Sequence, residues 1–232
     1  MTSLIDLYGD GIGKVEYVEH MGSDLSVVNS ARVSFGKHKD VMEESDIKLI
    51  NYLIKHRHTS TLEHCVVTFR FKVPLFVRSQ HHRHRTWSYN EISRRYTEYN
   101  IELYNPELYR TQHDSNRQAS NEKEFVDGAS AHPILGCNVH EYVRRFHNVA
   151  LNLYNNLLDT GVCREQARGI LPQSMYTEYY GTANLNNILK FIDLRIHKGA
   201  QGEIQEVAKA ILEITRGLYP LTVKAYEKAK KQ

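Results

Sequence analysis

The sequence predicts an α+β domain in which a sheet packs against flanking helices. Residues 65–73 alternate apolar and polar side chains, which is the pattern of a half-buried strand. Two long segments, 137–159 and 202–226, carry apolar residues at helical spacing instead. Strands and helices do not alternate regularly, so a parallel βαβ arrangement is not indicated. We therefore expect a mixed sheet with flanking helices and a long C-terminal helical region.

Length and charge indicate one globular unit. The chain has 232 residues, enough to bury a sizeable core, and we expect a single domain over residues 1–232. Its net charge of +3 is too mild for a general binder of nucleic acid polymers. The three cysteines are widely spaced and form no Cys-x-x-Cys pair, which favours neither a disulfide framework nor structural zinc. This cysteine usage makes a reducing cytoplasm the expected setting, and the sequence shows neither a signal peptide nor a membrane-spanning run.

Three elements are predicted before the centre of the chain. Residues 23–33 begin with Ser-Asp and read as a short capped helix. Residues 44–56 place isoleucines and leucines at helical spacing. Pro74 ends the strand at 65–73, and a helix beginning at Leu75 is expected to run on into the arginine-rich segment that follows.

A polar stretch at residues 104–136 interrupts the pattern. It is rich in Asn, Ser, Gln, Asp and Glu, and only the Phe125-Val126 and Ile134-Leu135 pairs offer much apolar surface. We expect a long, mobile loop that contains at most one short helix. Loops of this length in compact domains usually serve function.

The second half of the chain is mostly helical. Residues 137–159 are predicted to form a strongly amphipathic helix with one broad apolar face. A short helix follows at 164–170, and residues 175–180 are β-prone. A helical stripe over 185–192 continues to Arg195 on its apolar side, where a guanidinium is costly unless it is paired or bound to a ligand.

The most informative stretch lies between residues 83 and 93. It reads Arg83-His84-Arg85, then seven residues that include Asn90 and Glu91, then Ser93. Guanidinium groups grip phosphates and delocalised oxyanions through paired hydrogen bonds. The amide, carboxylate and hydroxyl supply the donors and acceptors that a base and a sugar require. The stretch therefore predicts a nucleotide-binding segment.

Other interpretations of these residues stay open. Arg83, Glu91 and Arg95 recur at multiples of four, so a solvated helix face held by ion pairs is one alternative. A metal-dependent nucleotide hydrolase built on the nearby histidines is a second, but no His-Glu-x-x-His motif accompanies them and no metal is expected. A nucleic-acid-binding module on the basic, aromatic stretch 83–99 is a third, against which the mild charge speaks.

The Arg-His-Arg spacing resembles the signature of the flavin-dependent thymidylate synthases. Residues 164–172 are similar to the family's Arg-x-x-Ala-Arg-x-x-Leu-Pro segment. Asn184 followed eleven residues later by Arg195 also resembles the family, as does Gln201-Gly-Glu-Ile. The resemblance covers most of the chain and leaves only the polar stretch unconstrained.

The resemblance implies a thymidylate synthase-complementing type fold and an FAD-dependent methyltransferase that converts dUMP to dTMP. It implies NADPH and methylenetetrahydrofolate as co-substrates, and a homotetramer with active sites at subunit interfaces. The implied flavin contacts are Ser60, Arg83, His84, Arg85, Glu91, Asn184, Asn186 and Lys190. The implied dUMP contacts are Gln80, Arg83, Glu91, Ser93, Arg94, Arg95, Arg168 and Arg195. Asn186 and Lys190 depart from the common family pattern.

Arg195 is the implied activating residue. A guanidinium cannot accept a proton at neutral pH, so Arg195 would act electrostatically. Beside the N3 and O2 edge of uracil it would favour the deprotonated, enolate-like base and raise the electron density at C5. No cysteine lies in the Pro-Cys-x-x context of the unrelated thymidylate synthases, so no thiol adduct is expected. No Gly-x-Gly-x-x-Gly turn is present, so a Rossmann fold is not expected to hold the flavin.

Overall fold

A computed structural model describes residues 3–126 and 136–230. The described strands are β1 (Leu4–Asp6), β2 (Lys14–Met21), β3 (Val66–Pro74), β4 (Ser88–Glu91), β5 (Arg110–Gln112), β6 (Ser120–Phe125) and β7 (Tyr176–Asn184). Five of them form one sheet in the order β1-β2-β3-β7-β4. Every pairing among these strands is antiparallel, so the expected mixed sheet is wrong in strand direction. Alternation within one strand carries no information about the direction of its neighbour.

Helices flank this sheet, as the sequence predicts. They are α1 (Asp24–Arg32), α2 (Glu44–Lys55), α3 (Leu75–His81), α4 (Val139–Asp159), α5 (Arg164–Ala167), α6 (Leu185–Arg195), α7 (Gly202–Leu218) and α8 (Pro220–Ala229). The single helix expected at 202–226 is instead two helices, because Pro220 lacks the N–H that a continuing helix needs and begins a new one. None of the described helices has both the length and the apolar character that crossing a membrane requires.

The core lies between the sheet and the C-terminal helices. Val67, Phe69, Phe71 and Val73 on one face of β3 are fully buried. They belong to one cluster with the apolar residues of α6 and α7. β7 pairs with β3 along its whole length, which leads the chain directly from the sheet into α6. This connection places the end of α6, where Arg195 lies, beside the segment that follows α3.

The arginine-rich segment is a turn followed by a strand. Helix α3 ends at His81, and Ser88–Glu91 pairs with residues 179–182 of β7. The expected continuation of α3 into this segment is therefore wrong, and so is the alternative of a solvated helix face. Pairing with β7 satisfies the backbone of β4, and a strand alternates its side chains rather than grouping every fourth residue.

The polar stretch contains a two-stranded ribbon where the sequence suggested a loop with a short helix. Strands β5 and β6 pair antiparallel, and we call residues 110–125 the polar ribbon. Apart from Phe125, the residues of its two strands are polar, which removes the alternation by which strands are recognised. The Ile134-Leu135 pair lies outside the described residues, and the mobility of the stretch stays a prediction.

Candidate active site

The end of α6 meets the Arg-His-Arg segment. Asn184 caps α6 by accepting a hydrogen bond from the backbone N–H of Asn187 at 3.0 Å, and Arg195 is the last residue of the helix. The Arg195 Nε donates to His84 Nε2 at 3.0 Å, and its Nη2 donates to the main-chain oxygen of Gln80 at 3.1 Å. Residues predicted to share a site are thus in direct contact although they are more than 100 positions apart.

His84 is neutral where it meets Arg195. Burial, and then the charge of Arg195, lowers the pKa of His84 to about 4. Its Nε2 can accept from the guanidinium only if the ring proton is on Nδ1, which fixes the tautomer. Burial also lowers the pKa of Arg195 from its ordinary value. A partly buried guanidinium beside a neutral ring is well placed to act on a developing negative charge.

Beneath this contact lies a cluster of aromatic rings around His81. His81 is fully buried, and its Nδ1 is 2.8 Å from the hydroxyl of Tyr179. Its ring packs against Phe71, Trp87 and Phe191 at centroid distances of 4.9, 4.6 and 4.7 Å. Burial lowers the pKa of His81, so it stays neutral. His81 is a core histidine, and it supports the turn that carries Arg83, His84 and Arg85.

Glu91 is held by two residues that the sequence analysis did not name. Its Oε1 accepts from Thr177 Oγ1 at 2.6 Å and lies 3.0 Å from Arg78 Nε. Arg78 comes from α3, and Thr177 comes from β7. The pairing of β4 with β7 sets Glu91 opposite Tyr179, two residues from Thr177, and no local pattern in the sequence indicates that pairing.

The two arginines that follow β4 have side chains with different environments. Arg94 is only 8% exposed and donates to the main-chain oxygens of Tyr99 and Asn100 at 2.7 and 3.4 Å, so its side chain holds the following loop. Arg95 is exposed, and its Nη2 lies 3.1 Å from a carboxylate oxygen of Glu165. The backbone N–H of Arg95 donates to Ser93 Oγ at 3.2 Å.

Arg168 follows Glu165 along the α5 segment and is exposed. The ion pair between Arg95 and Glu165 therefore brings these two predicted nucleotide-binding arginines to one region of the surface. No described contact joins that region to Arg195 within one chain. Arg83 and Arg85 are also exposed, and neither forms an ion pair with a described carboxylate.

Three of the predicted flavin contacts line adjoining cavities near the start of α6. Ser60 lines a cavity of about 620 Å³. Asn186 and Lys190 line another of about 470 Å³, and both cavities include His58. Asn186 is 5% exposed and donates to Glu63 Oε1 at 3.1 Å. Arg83, His84, Arg85, Glu91 and Asn184 line neither cavity.

The second cavity has the charge that a dinucleotide diphosphate needs. Its lining includes four cationic side chains and one carboxylate, namely Lys55, Arg57, Lys190, Lys230 and Asp193. Lys190 forms no ion pair with a described residue, whereas Lys230 pairs with Asp193. The side chains present therefore fit an anionic flavin cofactor. In the part of the chain that the structure describes, no group of three or more His, Cys, Asp or Glu side chains is arranged to hold a metal ion.

Known proteins are similar to this chain along nearly its whole length. The family model described as thymidylate synthase complementing protein matches residues 16–221. A flavin-dependent thymidylate synthase from Thermus thermophilus is 42% identical over 93% of this chain and 76% of its own length. One from Kosmotoga olearia is 42% identical over 92% of this chain and 90% of its own.

A solved structure shares the fold. The UMP/dUMP methylase PolB from Streptomyces cacaoi, bound with 5-Br dUMP, has a TM-score of 0.80, 32% identity and 97% coverage of both chains. These matches confirm the resemblance seen in the sequence and the prediction of a flavin-dependent methyltransferase. The chain belongs to the thymidylate synthase complementing protein family, the family of the flavin-dependent thymidylate synthases.

Proposed function

We propose that this chain methylates dUMP at C5 to give dTMP, with FAD as its flavin, methylenetetrahydrofolate as the carbon donor and NADPH as the electron source. The observation that carries the proposal is the contact of Arg195 with His84 and Gln80. This contact places a partly buried guanidinium against the segment of the chain that resembles a nucleotide-binding site. The similarity to a methylase bound with 5-Br dUMP supports a uracil nucleotide as substrate. The cysteine pattern supports a cytoplasmic setting.

Arg195 is the residue that activates the base in this proposal. His84 and the main-chain oxygen of Gln80 fix the guanidinium, so little reorganisation is needed when negative charge develops on the pyrimidine. Arg83, Arg95 and Arg168 are exposed cations suited to the nucleotide phosphate. Glu91 is held by Arg78 and Thr177 and offers a fixed acceptor. The Arg94 side chain donates to the main-chain oxygens of Tyr99 and Asn100, so this proposal does not use it as a cation for the phosphate.

The flavin is proposed to lie across the cavities lined by Ser60, Asn186 and Lys190, with its anionic groups near Lys190. Arg83 and Arg85 line neither cavity, so their contact with the same flavin would come from another copy of the chain in the proposed homotetramer. When bound, it supplies the hydride that completes the new methyl group. The chain's own part is to bind and orient it. The sequence has no Gly-x-Gly-x-x-Gly turn, so we propose that cationic side chains, and not the backbone N–H donors of a Rossmann turn, hold the diphosphate of the flavin.

An absorbance spectrum of the purified protein tests the proposal. We expect flavin bands that bleach when NADPH is added without oxygen, and dTMP formation when dUMP and methylenetetrahydrofolate are supplied. The rival hydrolase predicts a bound metal and nucleotide hydrolysis that a chelator abolishes. A colourless protein that retains hydrolytic activity after flavin is supplied would sink the proposal.

A homotetramer with shared active sites is part of the proposal, and α4 supports it. The sequence predicts one broad apolar face on α4, and in the described chain only His147, Ala150 and Tyr154 of this helix are buried. An adjacent apolar stripe is about half exposed and consists of Tyr142, Phe146, Val149 and Leu153. An exposed stripe of this kind on a regular helix is typical of a subunit interface. Arg95 and Arg168 would then reach Arg195 of another copy.

Phe146→Glu is expected to weaken the assembly, because it places a charge in the centre of this stripe. Size-exclusion chromatography with light scattering should show smaller species at micromolar concentration and reduced dTMP formation. Asn148→Glu adds the same charge on an exposed, non-apolar face of α4 and should leave the assembly unchanged. An intact tetramer in the Phe146→Glu variant would assign the interface to another surface.

Cys65→Ser is expected to keep turnover within about twofold of the parent protein. Cys65 is fully buried with its Sγ 3.6 Å from the main-chain oxygen of Ser23, and burial followed by the charge of Asp24 raises its pKa to about 11. A thiol in this state is not a nucleophile near neutral pH. Steady-state kinetics and a thermal melt give the answer. Complete loss of turnover in a folded variant would revive a thiol mechanism.

A further inference from the structure

The start of α7 carries a buried carboxylate to which the proposed reaction assigns no role. Glu203 is the second residue of α7, and only 6% of it is exposed. Its Oε1 accepts from Arg110 Nη2 of the polar ribbon at 2.6 Å and from the hydroxyl of Tyr104 at 3.4 Å. A carboxylate that pairs with a guanidinium at this distance accepts hydrogen bonds and does not donate them.

The other carboxylate oxygen of Glu203 is the first acceptor in a chain of hydrogen bonds that runs through the side-chain amides of Gln201 and Gln80. Gln201 Nε2 donates to Glu203 Oε2 at 2.9 Å. Gln201 Oε1 in turn accepts from Nε2 of Gln80, one of the proposed dUMP contacts. The two ends of an amide are nearly indistinguishable by shape, so their orientation follows from the hydrogen bonds they make. Because an ionised carboxylate cannot donate, Gln201 must turn its NH₂ to Glu203 and its oxygen to Gln80.

The donor-to-acceptor order of these hydrogen bonds also fixes the orientation of the Gln80 amide. The Gln80 amide must use its NH₂ group on Gln201, which leaves its own Oε1 as an acceptor for a ligand. The main-chain oxygen of the same residue accepts from Arg195. Two groups of Gln80 are therefore held from different parts of the fold. Its side-chain amide is held by Gln201 at the start of α7, and its main-chain oxygen is held by Arg195 at the end of α6.

Residue 202 allows the carboxylate and the ribbon to meet. A Cβ at Gly202 would lie 2.8 Å from Arg110 Nη1 and 3.0 Å from its Cζ. A larger residue there would have to displace the guanidinium that pairs with Glu203. The Gln-Gly-Glu order at the start of α7 thus combines an amide, a close approach and a carboxylate in three successive positions.

We propose that Glu203 is a positioning residue that acts through Gln201 to make Gln80 present its carbonyl oxygen to the bound nucleotide. This inference rests on the proposed dUMP site. The group that Gln80 meets must be a hydrogen-bond donor, which in dUMP is the ring N3–H or the 3′-hydroxyl. In the plainer alternative, Glu203 only stabilises α7 as an acidic residue in its first turn. That alternative predicts a loss of stability that does not depend on Gln80.

A double-mutant cycle on the flavin-loaded protein separates the two. Glu203→Gln keeps the shape but lets the amide chain reverse, and we expect the Kd for dUMP, measured by calorimetry, to rise about tenfold. In a Gln80→Ala background the same change should alter the Kd by less than about twofold, because its target is gone. An equal effect in both backgrounds, or no effect in either, overturns the proposal.

A second variant is available if the first does not fold, and a control variant tests whether any loss of a carboxylate has the same effect. If Glu203→Gln does not fold, Gln201→Ala breaks the same chain but keeps the buried carboxylate and its ion pair with Arg110, and it should give the same Gln80-dependent loss. Glu227→Gln removes a carboxylate from the exposed pair with Arg216 and should leave the Kd unchanged. Failure of the parent protein to bind dUMP would overturn the proposed function as well, whereas normal parent binding with a Gln80-independent loss overturns only the positioning role.

Two dUMP analogues identify the donor. N3-methyl-dUMP lacks the ring N–H, and the 3′-deoxy analogue lacks the hydroxyl. The analogue that lacks the group facing Gln80 should bind the parent protein and the Glu203→Gln variant with the same Kd, while the other analogue retains the difference of about tenfold. A difference that persists for both analogues would contradict a Gln80 oxygen that meets either donor.

Discussion

Arg195→Ala is expected to lower kcat/KM for dTMP formation by about 100-fold or more. Removing a single preorganised donor to a developing negative charge costs an enzyme roughly 10²–10³ in rate, and Arg195 is the proposed source of that stabilisation. The side chain is only partly buried at the end of α6. Its removal leaves His84 Nε2 and the Gln80 oxygen accessible to water. Initial rates with saturating flavin and a thermal melt measure the two effects separately.

Two further variants sharpen this prediction. Arg195→Lys keeps the charge but not the planar pair of donors that reaches His84 and Gln80, so we expect it to recover only part of the loss. Arg216→Ala removes an exposed arginine from α7 and should leave the rate unchanged. Turnover by Arg195→Ala near that of the parent protein would show that another group activates the pyrimidine.

Asp24→Ala is expected to lower the free energy of unfolding by about 3 kcal/mol. Asp24 lies at the start of α1, yet its carboxylate caps α8 near the other end of the chain. It accepts from the backbone N–H groups of Leu221 and Thr222 at 3.0 and 2.9 Å and from Thr222 Oγ1 at 2.6 Å. Thr222 is fully buried, so water cannot replace these bonds without disturbing the packing.

Thermal unfolding measures the effect of Asp24→Ala. For a chain of this length, about 3 kcal/mol corresponds to a fall in Tm of roughly 6–12 °C. Asp40→Ala removes an aspartate whose side chain is 96% exposed and should shift the Tm by less than about 2 °C. If both variants have the same Tm as the parent protein, the carboxylate of Asp24 does not stabilise the start of α8.

Much of the secondary structure could be predicted because its signals are local. The apolar periodicities of α2 and β3 and the capped start of α1 lie within single short segments, and the structure places those elements within a residue or two of the prediction. The break between α7 and α8 falls at Pro220, a local signal that the prediction of one continuous helix over 202–226 did not use. The polar ribbon gave no such signal, since neither of its faces is apolar.

The roles of individual side chains at the site were less predictable. The sequence identified Arg94 and Arg95 as neighbours of the same kind, but the fold turns one into a loop and leaves the other exposed. It identified Glu91 without Arg78 and Thr177, and it identified the apolar face of α4 without indicating how much of that face the fold leaves exposed. In each case the residue type was informative and the direction of the side chain was not.

By itself the sequence determined the family, the α+β class, most element boundaries and the residue types available for binding a nucleotide, because spacing and periodicity are properties of short stretches of chain. Only the tertiary structure decided which partners those residues meet. Arg195 reaches His84, Asp24 reaches Thr222 and Gln201 reaches Gln80 across more than 100 residues of chain. Such contacts depend on the register of β3, β4 and β7 and on the packing of α6 and α7, and no local pattern encodes either.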